Sequence, residues 1–160
     1  MAFAPDRAQA KPYALFSFVI KATLHSDFPF WAATKIVRNT LIETVLGTPV
    51  QDFQAAQRDE QERAVEVMRH ILPVSQREKG IWKDATISPV LPRFALERIN
   101  VPTLLISAED DLYGTYPSAR YTAAHIPGAR FVGYAKGGHL LLGHWKEASS
   151  EVVAFLRNVP

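Results

Sequence analysis

Two short motifs in the last third of the 160-residue chain contain side chains that could do acid–base chemistry together. Three consecutive acids, at positions 109–111, follow an apolar run, and His139 follows the pair Gly137-Gly138. A neutral imidazole can take a proton from a hydroxyl group as its oxygen attacks a carbonyl, and a carboxylate can hold the ring in the required tautomer. The sequence therefore predicts an acid and a base that act as a pair, if the fold brings them together.

The elements around these motifs are those of a parallel sheet. Residues 103–106 form a continuous apolar run, which is typical of a strand buried on both faces. A helix is predicted from Thr115 to His125, a second strand over 129–135, and an amphipathic helix from Trp145 to Leu156. Side chains just beyond the carboxyl ends of parallel strands meet at one edge of the sheet. We therefore expect the acids and His139 at the same edge.

With both motifs in this order, residues from about 90 to 158 resemble the C-terminal third of an α/β-hydrolase. In that family the acid of the triad follows the penultimate core strand in a G-x-x-D loop, and the histidine follows the last strand in a G-G-H loop. The segment Ala-Glu-Asp-Asp at 108–111 matches the first loop, with alanine where glycine is usual. The resemblance implies that Asp111 is the acid, with Asp110 as a second candidate, and that His139 is the base.

The preceding part of the chain is predicted to be helical, with no convincing strand in residues 13–88. In an α/β-hydrolase such a run of helices resembles the cap that covers the substrate pocket. The resemblance implies an α/β fold with a helical cap at 1–92, followed at 93–160 by the last two parallel core strands and their flanking helices. Apolar cap residues are candidates for substrate binding, although packing of the cap helices against each other would also explain them: Phe30, Trp31, Met68, Ile71 and Leu72.

The family's nucleophile is absent from this sequence. It would lie at a G-x-S-x-G turn before the cap, and no such motif, nor a looser version of it, occurs in the chain. The resemblance implies a serine-type hydrolase of small esters or related acyl substrates whose isolated chain is inactive, because the nucleophile and the oxyanion hole are both missing. Two alternatives remain open: one subunit of a two-chain hydrolase, and a non-catalytic binding or interaction module.

Composition restricts the partners. The chain is 48% hydrophobic, enough for one globular unit with a core. Its 18 basic and 16 acidic residues are spread along the sequence, so a nucleic-acid partner is not favoured. The expected partners are a small-molecule substrate and either a second copy of the chain or another chain that completes the sheet, since an unpaired strand edge invites pairing.

Cysteine is absent, which excludes disulfides, thiolate metal sites and a cysteine nucleophile. A charged pair, Asp6-Arg7, stands where a signal peptide would become apolar, and the apolar run at 14–24 contains Lys21 and is too short to span a bilayer. These features predict a cytoplasmic protein without a membrane span. One histidine beside adjacent carboxylates lacks the spacing of a known metal site, so no metal or other cofactor is expected.

Overall fold

The computed structural model describes residues 25–87 and 91–158, so the helix predicted at 14–24 lies outside the described residues. The described part contains seven α-helices and two short strands. Two short 3₁₀ turns, Val74–Arg77 and Leu96–Arg98, join some of them. In chain order the elements are α1 (Asp27–Ile36), α2 (Arg38–Thr44), α3 (Val50–Ala55), α4 (Arg58–Arg69), α5 (Glu78–Ile87), β1 (Leu104–Ala108), α6 (Thr115–His125), β2 (Arg130–Tyr134) and α7 (Trp145–Arg157).

The two strands pair in parallel, as predicted. Leu104 lies opposite Arg130 and Ala108 opposite Tyr134, and α6 makes the crossover between the strands. The N–H of Glu109 donates to the carbonyl of Tyr134 (2.8 Å), which continues the ladder by one residue beyond the strand ends. The chain is therefore a mixed α/β structure in which the segments after β1 and β2 leave the sheet at the same edge.

The described α-helices before β1 all lie within residues 25–87, and their boundaries differ from the sequence pattern in two places. The apolar periodicity predicts helix through Ile36 and Val37, whereas the chain breaks at Val37 between α1 and α2. Two consecutive β-branched residues restrict the side-chain rotamers there and favour helix weakly. The sequence Thr48-Pro49 predicts a helix capped by the Thr48 side chain, and this prediction was wrong. Helix α3 begins at Val50 after Pro49, and the fully buried Thr48 hydroxyl donates to the carbonyl of Leu46 (3.0 Å).

The hydrophobic core lies mainly among the helices before β1. One of its members, Leu142, comes instead from the loop after β2. The helical segment and the loop that carries His139 therefore share one core. Its buried members are Phe30, Ile42, Leu46, Phe53, Ala64, Met68, Val74 and Leu142.

The sheet end of the molecule is less enclosed. Within the described ranges, β1 has β2 as its one strand neighbour. Helix α7 has the predicted position and buries Ala148, but other apolar side chains on it are exposed: Trp145, Val152, Val153 and Leu156. None of the described helices has the length and apolar character needed to cross a membrane.

Candidate active site

The loop after β1 places Asp111 in a buried position. The N–H of Asp111 donates to the carbonyl of Ala108 (3.3 Å), and the N–H of Gly114 donates to the carbonyl of Asp111 (2.8 Å). Gly114 has a left-handed backbone (φ 62°) that glycine adopts without strain, and α6 starts directly after it. This tight turn folds the Asp111 side chain inward, where only 2% of it is exposed.

Three donors surround the buried carboxylate of Asp111. Its Oδ1 accepts the N–H of Tyr113 (2.8 Å), and its Oδ2 accepts the hydroxyl of Thr115 and lies 2.9 Å from Nδ1 of His139. Ser107 in turn lies 3.0 Å from the Thr115 hydroxyl oxygen. Because the Thr115 proton points to Asp111, the Ser107 hydroxyl donates to Thr115. These bonds offset the cost of burying the charge of Asp111.

The imidazole of His139 is held from two sides. An ionised carboxylate only accepts hydrogen bonds, so Nδ1 of His139 carries the proton that faces Asp111. The ring of Tyr113 meets the imidazole edge to face, with centroids 4.9 Å apart and an interplanar angle of 76°. With Nδ1 protonated, Nε2 keeps its lone pair, and 46% of the side chain is exposed. The ring is thus oriented and accessible, as a general base must be.

Gly47, between α2 and α3, contacts both the loop after β1 and the loop after β2. Its carbonyl accepts the N–H of Leu112 (3.0 Å) and the N–H of His139 (3.2 Å). A Cβ atom on Gly47 would lie 2.8 Å from the ring of Tyr113, and φ is +58°, so glycine is required on two grounds. From the sequence, a glycine after an apolar helical segment predicts only the end of that helix. Its contact with two loops far along the chain left no local signal.

Asp110, the second candidate for the acid, contacts the backbone of the histidine loop. Its Oδ1 accepts the N–H of Gly138 (2.8 Å) and its Oδ2 accepts the N–H of Gly137 (3.2 Å). Asp52 on α3 reaches the same N–H of Gly137 (3.4 Å). Its hydrogen bond with Asp110, and then burial, raise the pKa of Asp52. Burial also raises the pKa of Asp110, but hydrogen bonds from Asp52, Gly138 and Gly137 outweigh it and lower that pKa.

Helix α4 contacts the loop that carries His139 through two charged side chains, Arg63 and Glu60. Arg63 donates through Nη2 to the carbonyl of Leu140 (2.8 Å) and to Oε2 of Glu60 (3.1 Å), and its guanidinium lies 4.5 Å from the centre of the Trp145 ring. The same oxygen of Glu60 accepts the N–H of Gly143 (3.4 Å). No local pattern singles out Arg63 and Glu60, because an arginine and a glutamate on a helix usually face solvent.

The predicted substrate-binding side chains take different positions. Phe30 and Met68 are buried in the core, and Ile71 and Leu72 pack against it from partly buried positions. Trp31 is exposed, with its ring stacked on Phe28 at 5.8 Å. Core packing explains the apolar character of Phe30 and Met68, and a substrate-binding role for any of the five residues stays a prediction.

Comparison of the chain with models of known protein families, with curated protein sequences and with solved structures gave no match. Across residues 25–87 and 91–158, no three His, Cys, Asp or Glu side chains are grouped so that they could hold a metal ion.

Proposed function

We propose that Asp111 and His139 are the acid and base of a serine-type hydrolase of the α/β-hydrolase kind, which acts on small esters or related acyl substrates. The observation that carries the proposal is the 2.9 Å contact between Oδ2 of Asp111 and Nδ1 of His139. It joins a buried carboxylate to a half-exposed imidazole, and the two residues follow neighbouring parallel strands.

The contact suits base catalysis at Nε2. Asp111 holds the proton on Nδ1, so Nε2 can accept a proton from an attacking hydroxyl and later return it to the leaving group. The carboxylate then stabilises the imidazolium that forms between these two steps. Positioned bases of this kind accelerate reactions by about 10² to 10⁴-fold. A non-catalytic binding module would have no need for this arrangement, which is why we favour a hydrolase.

In this proposal the nucleophile comes from a polypeptide segment other than these 160 residues, because the sequence contains no G-x-S-x-G turn. Ser107, on the strand that precedes the acid, is buried and donates its proton to Thr115. One side of β1 has no strand neighbour among residues 25–87 and 91–158, and apolar side chains of α7 are exposed. Both observations support an arrangement in which another strand and its helices complete the sheet. A partner chain could supply both the missing strands and the nucleophile, whereas a second copy of these 160 residues could supply strands and helices but not the nucleophile.

A serine-directed fluorophosphonate probe tests the proposal. The native assembly is recovered from its source cells with an antibody against this chain, treated with the probe and mapped by mass spectrometry. We expect one labelled serine in a peptide outside these 160 residues, and loss of that label when the cells carry His139→Ala. A label on a serine of this chain, or no label at all, would contradict the proposal.

The purified chain provides the matching control. Alone, it should hydrolyse p-nitrophenyl acetate no faster than its His139→Ala variant, since it has a base but no nucleophile. Turnover of about 1 s⁻¹ or more, within the usual range of enzymes, would show that the chain contains its own nucleophile. An assembly with the mass of one chain, unlabelled and inactive, would favour the binding module.

A further inference from the structure

We propose that Asp110 is a positioning residue for His139, which it holds through the backbone rather than through the ring. The inference rests on the proposed function of the Asp111–His139 pair. Its structural basis is that the Asp110 carboxylate spans the two N–H groups directly before His139, those of Gly137 and Gly138.

The two glycines present a concave pair of donors. Gly137 (φ +116°) and Gly138 (φ +60°) both have backbone conformations that other residues rarely adopt, and both are buried. Successive N–H groups in such turns point to one side and form an anion-binding concavity. Here the anion is a side chain of the protein itself, with one carboxylate oxygen on each N–H. Bonds from N–H groups to an ionised carboxylate are stronger than those between neutral groups.

The position of Asp110 in the chain gives these bonds a role in the site. Asp110 and Asp111 are adjacent, so one loop reaches the histidine loop twice. Asp111 contacts the imidazole and Asp110 contacts the backbone that carries it. The distance between acid and base is therefore fixed at two points, and loosening one of them leaves the imidazole free to move away from Asp111.

Asp52 influences the contacts of Asp110 with the N–H groups of Gly137 and Gly138, which together we call the clamp. Its carboxyl group bonds to Asp110 and also lies 3.4 Å from the N–H of Gly137. Lys136, an exposed residue in the loop after β2, also acts on Asp52, and its positive charge lowers the pKa of Asp52. A protonated Asp52 donates to Asp110, whereas an ionised Asp52 repels it. An asparagine at position 52 keeps a donor there at every pH and should preserve the clamp.

Nuclear magnetic resonance of the isotope-labelled chain tests this inference without any enzymatic activity. Two signals are followed: the downfield Nδ1–H proton of His139, and the exchange rates of the Gly137 and Gly138 amides. Asp110→Asn should broaden the imidazole proton beyond detection and speed exchange of both amides about 10-fold or more. Asp52→Asn should retain both signals. Asp84→Asn, the same substitution at an exposed position on α5, should change neither.

An Asp110→Asn variant that keeps the wild-type imidazole signal and slow amide exchange would overturn the inference. If that variant does not fold, the wild-type protein still gives an answer: the Gly138 amide proton must shift as Asp110 titrates at acidic pH, and a constant shift overturns the inference. Asp111→Asn separates the two proposals. An imidazole signal unchanged by Asp111→Asn refutes the proposed function, while a signal lost in Asp111→Asn but kept in Asp110→Asn refutes only the role of Asp110.

Discussion

Gly138 lies so close to Thr48 that a Cβ atom on the glycine would stand 2.6 Å from Cα of Thr48. The approach allows the N–H of Leu140, two residues further on, to donate to the Thr48 hydroxyl (3.3 Å). The loop of His139 is therefore seated on the helical segment as well as on the sheet. The glycine before the histidine serves this close packing, in addition to the sharp turn that its φ of +60° permits.

Gly138→Ala should destabilise the protein. A non-glycine residue in the left-handed region costs about 1 kcal/mol or more, and forcing a methyl group against the backbone of Thr48 adds about 1 to 3 kcal/mol. Urea unfolding of the variant should show the sum of both effects, together with loss of the downfield imidazole proton of His139.

Two further glycines separate these effects. Gly128 has φ +71° with open space around its Cβ position, so Gly128→Ala should show the backbone cost alone. Gly80 lies inside α5, and a Cβ atom added there would meet open space, so Gly80→Ala should stabilise the protein by about 0.5 to 1 kcal/mol. Equal losses for Gly138→Ala and Gly128→Ala would mean that the close packing on Thr48 contributes nothing.

Arg63→Met should destabilise the protein by about 2 kcal/mol or more. It leaves Glu60, whose side chain is only 10% exposed, without its cation and removes the donor to the carbonyl of Leu140. Arg58 on the same helix also pairs with a glutamate, but its side chain is 92% exposed, so Arg58→Met should change stability by less than about 0.5 kcal/mol. Thermal unfolding of both variants compares them, and similar melting temperatures would contradict a structural role for Arg63.

The order of strand, acid, helix, strand and histidine was predictable because each of these features leaves a local pattern. Apolar runs mark the strands, and the residues that follow a strand mark its carboxyl end. The supports of the site were not predictable in this way. Thr48 meets Leu140 across 92 residues, and Arg63 meets the same residue across 77. Contacts of such separation are decided by tertiary packing, which periodicity and motif spacing do not report.

The wrong prediction for Thr48 has the same cause. Thr-Pro before a helix matches the local pattern of a cap, and a threonine in solvent would take that role. Here the hydroxyl already donates to Leu46 and accepts from Leu140, and the residue is fully buried. The Thr48 hydroxyl therefore bonds to Leu46 and Leu140 instead of to an N–H group at the start of α3.

Stability should respond to pH through Asp52. Its hydrogen bond with Asp110 raises the pKa of Asp52 in the folded state, so the folded protein binds this proton more tightly than the unfolded chain does. The stabilisation is present below the ordinary pKa of an aspartate and is lost as the pH rises through the raised value. Asp110, with a lowered pKa, contributes in the opposite sense and loses its stabilisation as the pH falls.

Urea unfolding at a series of acidic pH values measures this effect. Relative to Asp52→Asn, which cannot ionise at that position, the wild-type protein should become less stable as the pH rises through the Asp52 titration. In an Asp110→Asn background the same comparison should show a weaker pH dependence, because the largest cause of the raised pKa of Asp52 is gone and burial remains. If the free energy of unfolding varied with pH in the same way for the wild-type protein and for Asp52→Asn, the coupling between Asp52 and Asp110 would be refuted.

If the protein is the proposed hydrolase, Asp111→Asn should lower its kcat on an ester substrate about 10⁴-fold with little change in KM, the size of effect expected when the base is held in the wrong tautomer. The N–H of Tyr113 keeps the oxygen of the new amide at the Oδ1 position, so its NH₂ group faces His139. That NH₂ donates to Nδ1, which moves the ring proton to Nε2 and removes the lone pair that should accept the proton of the nucleophile. Glu109 is an exposed neighbour in the same loop, and substitutions at such positions usually have small effects. The kcat of Glu109→Gln should therefore stay within about twofold of the wild-type value. Steady-state kinetics of the two variants decides the matter: equal activities would exclude Asp111 as the acid.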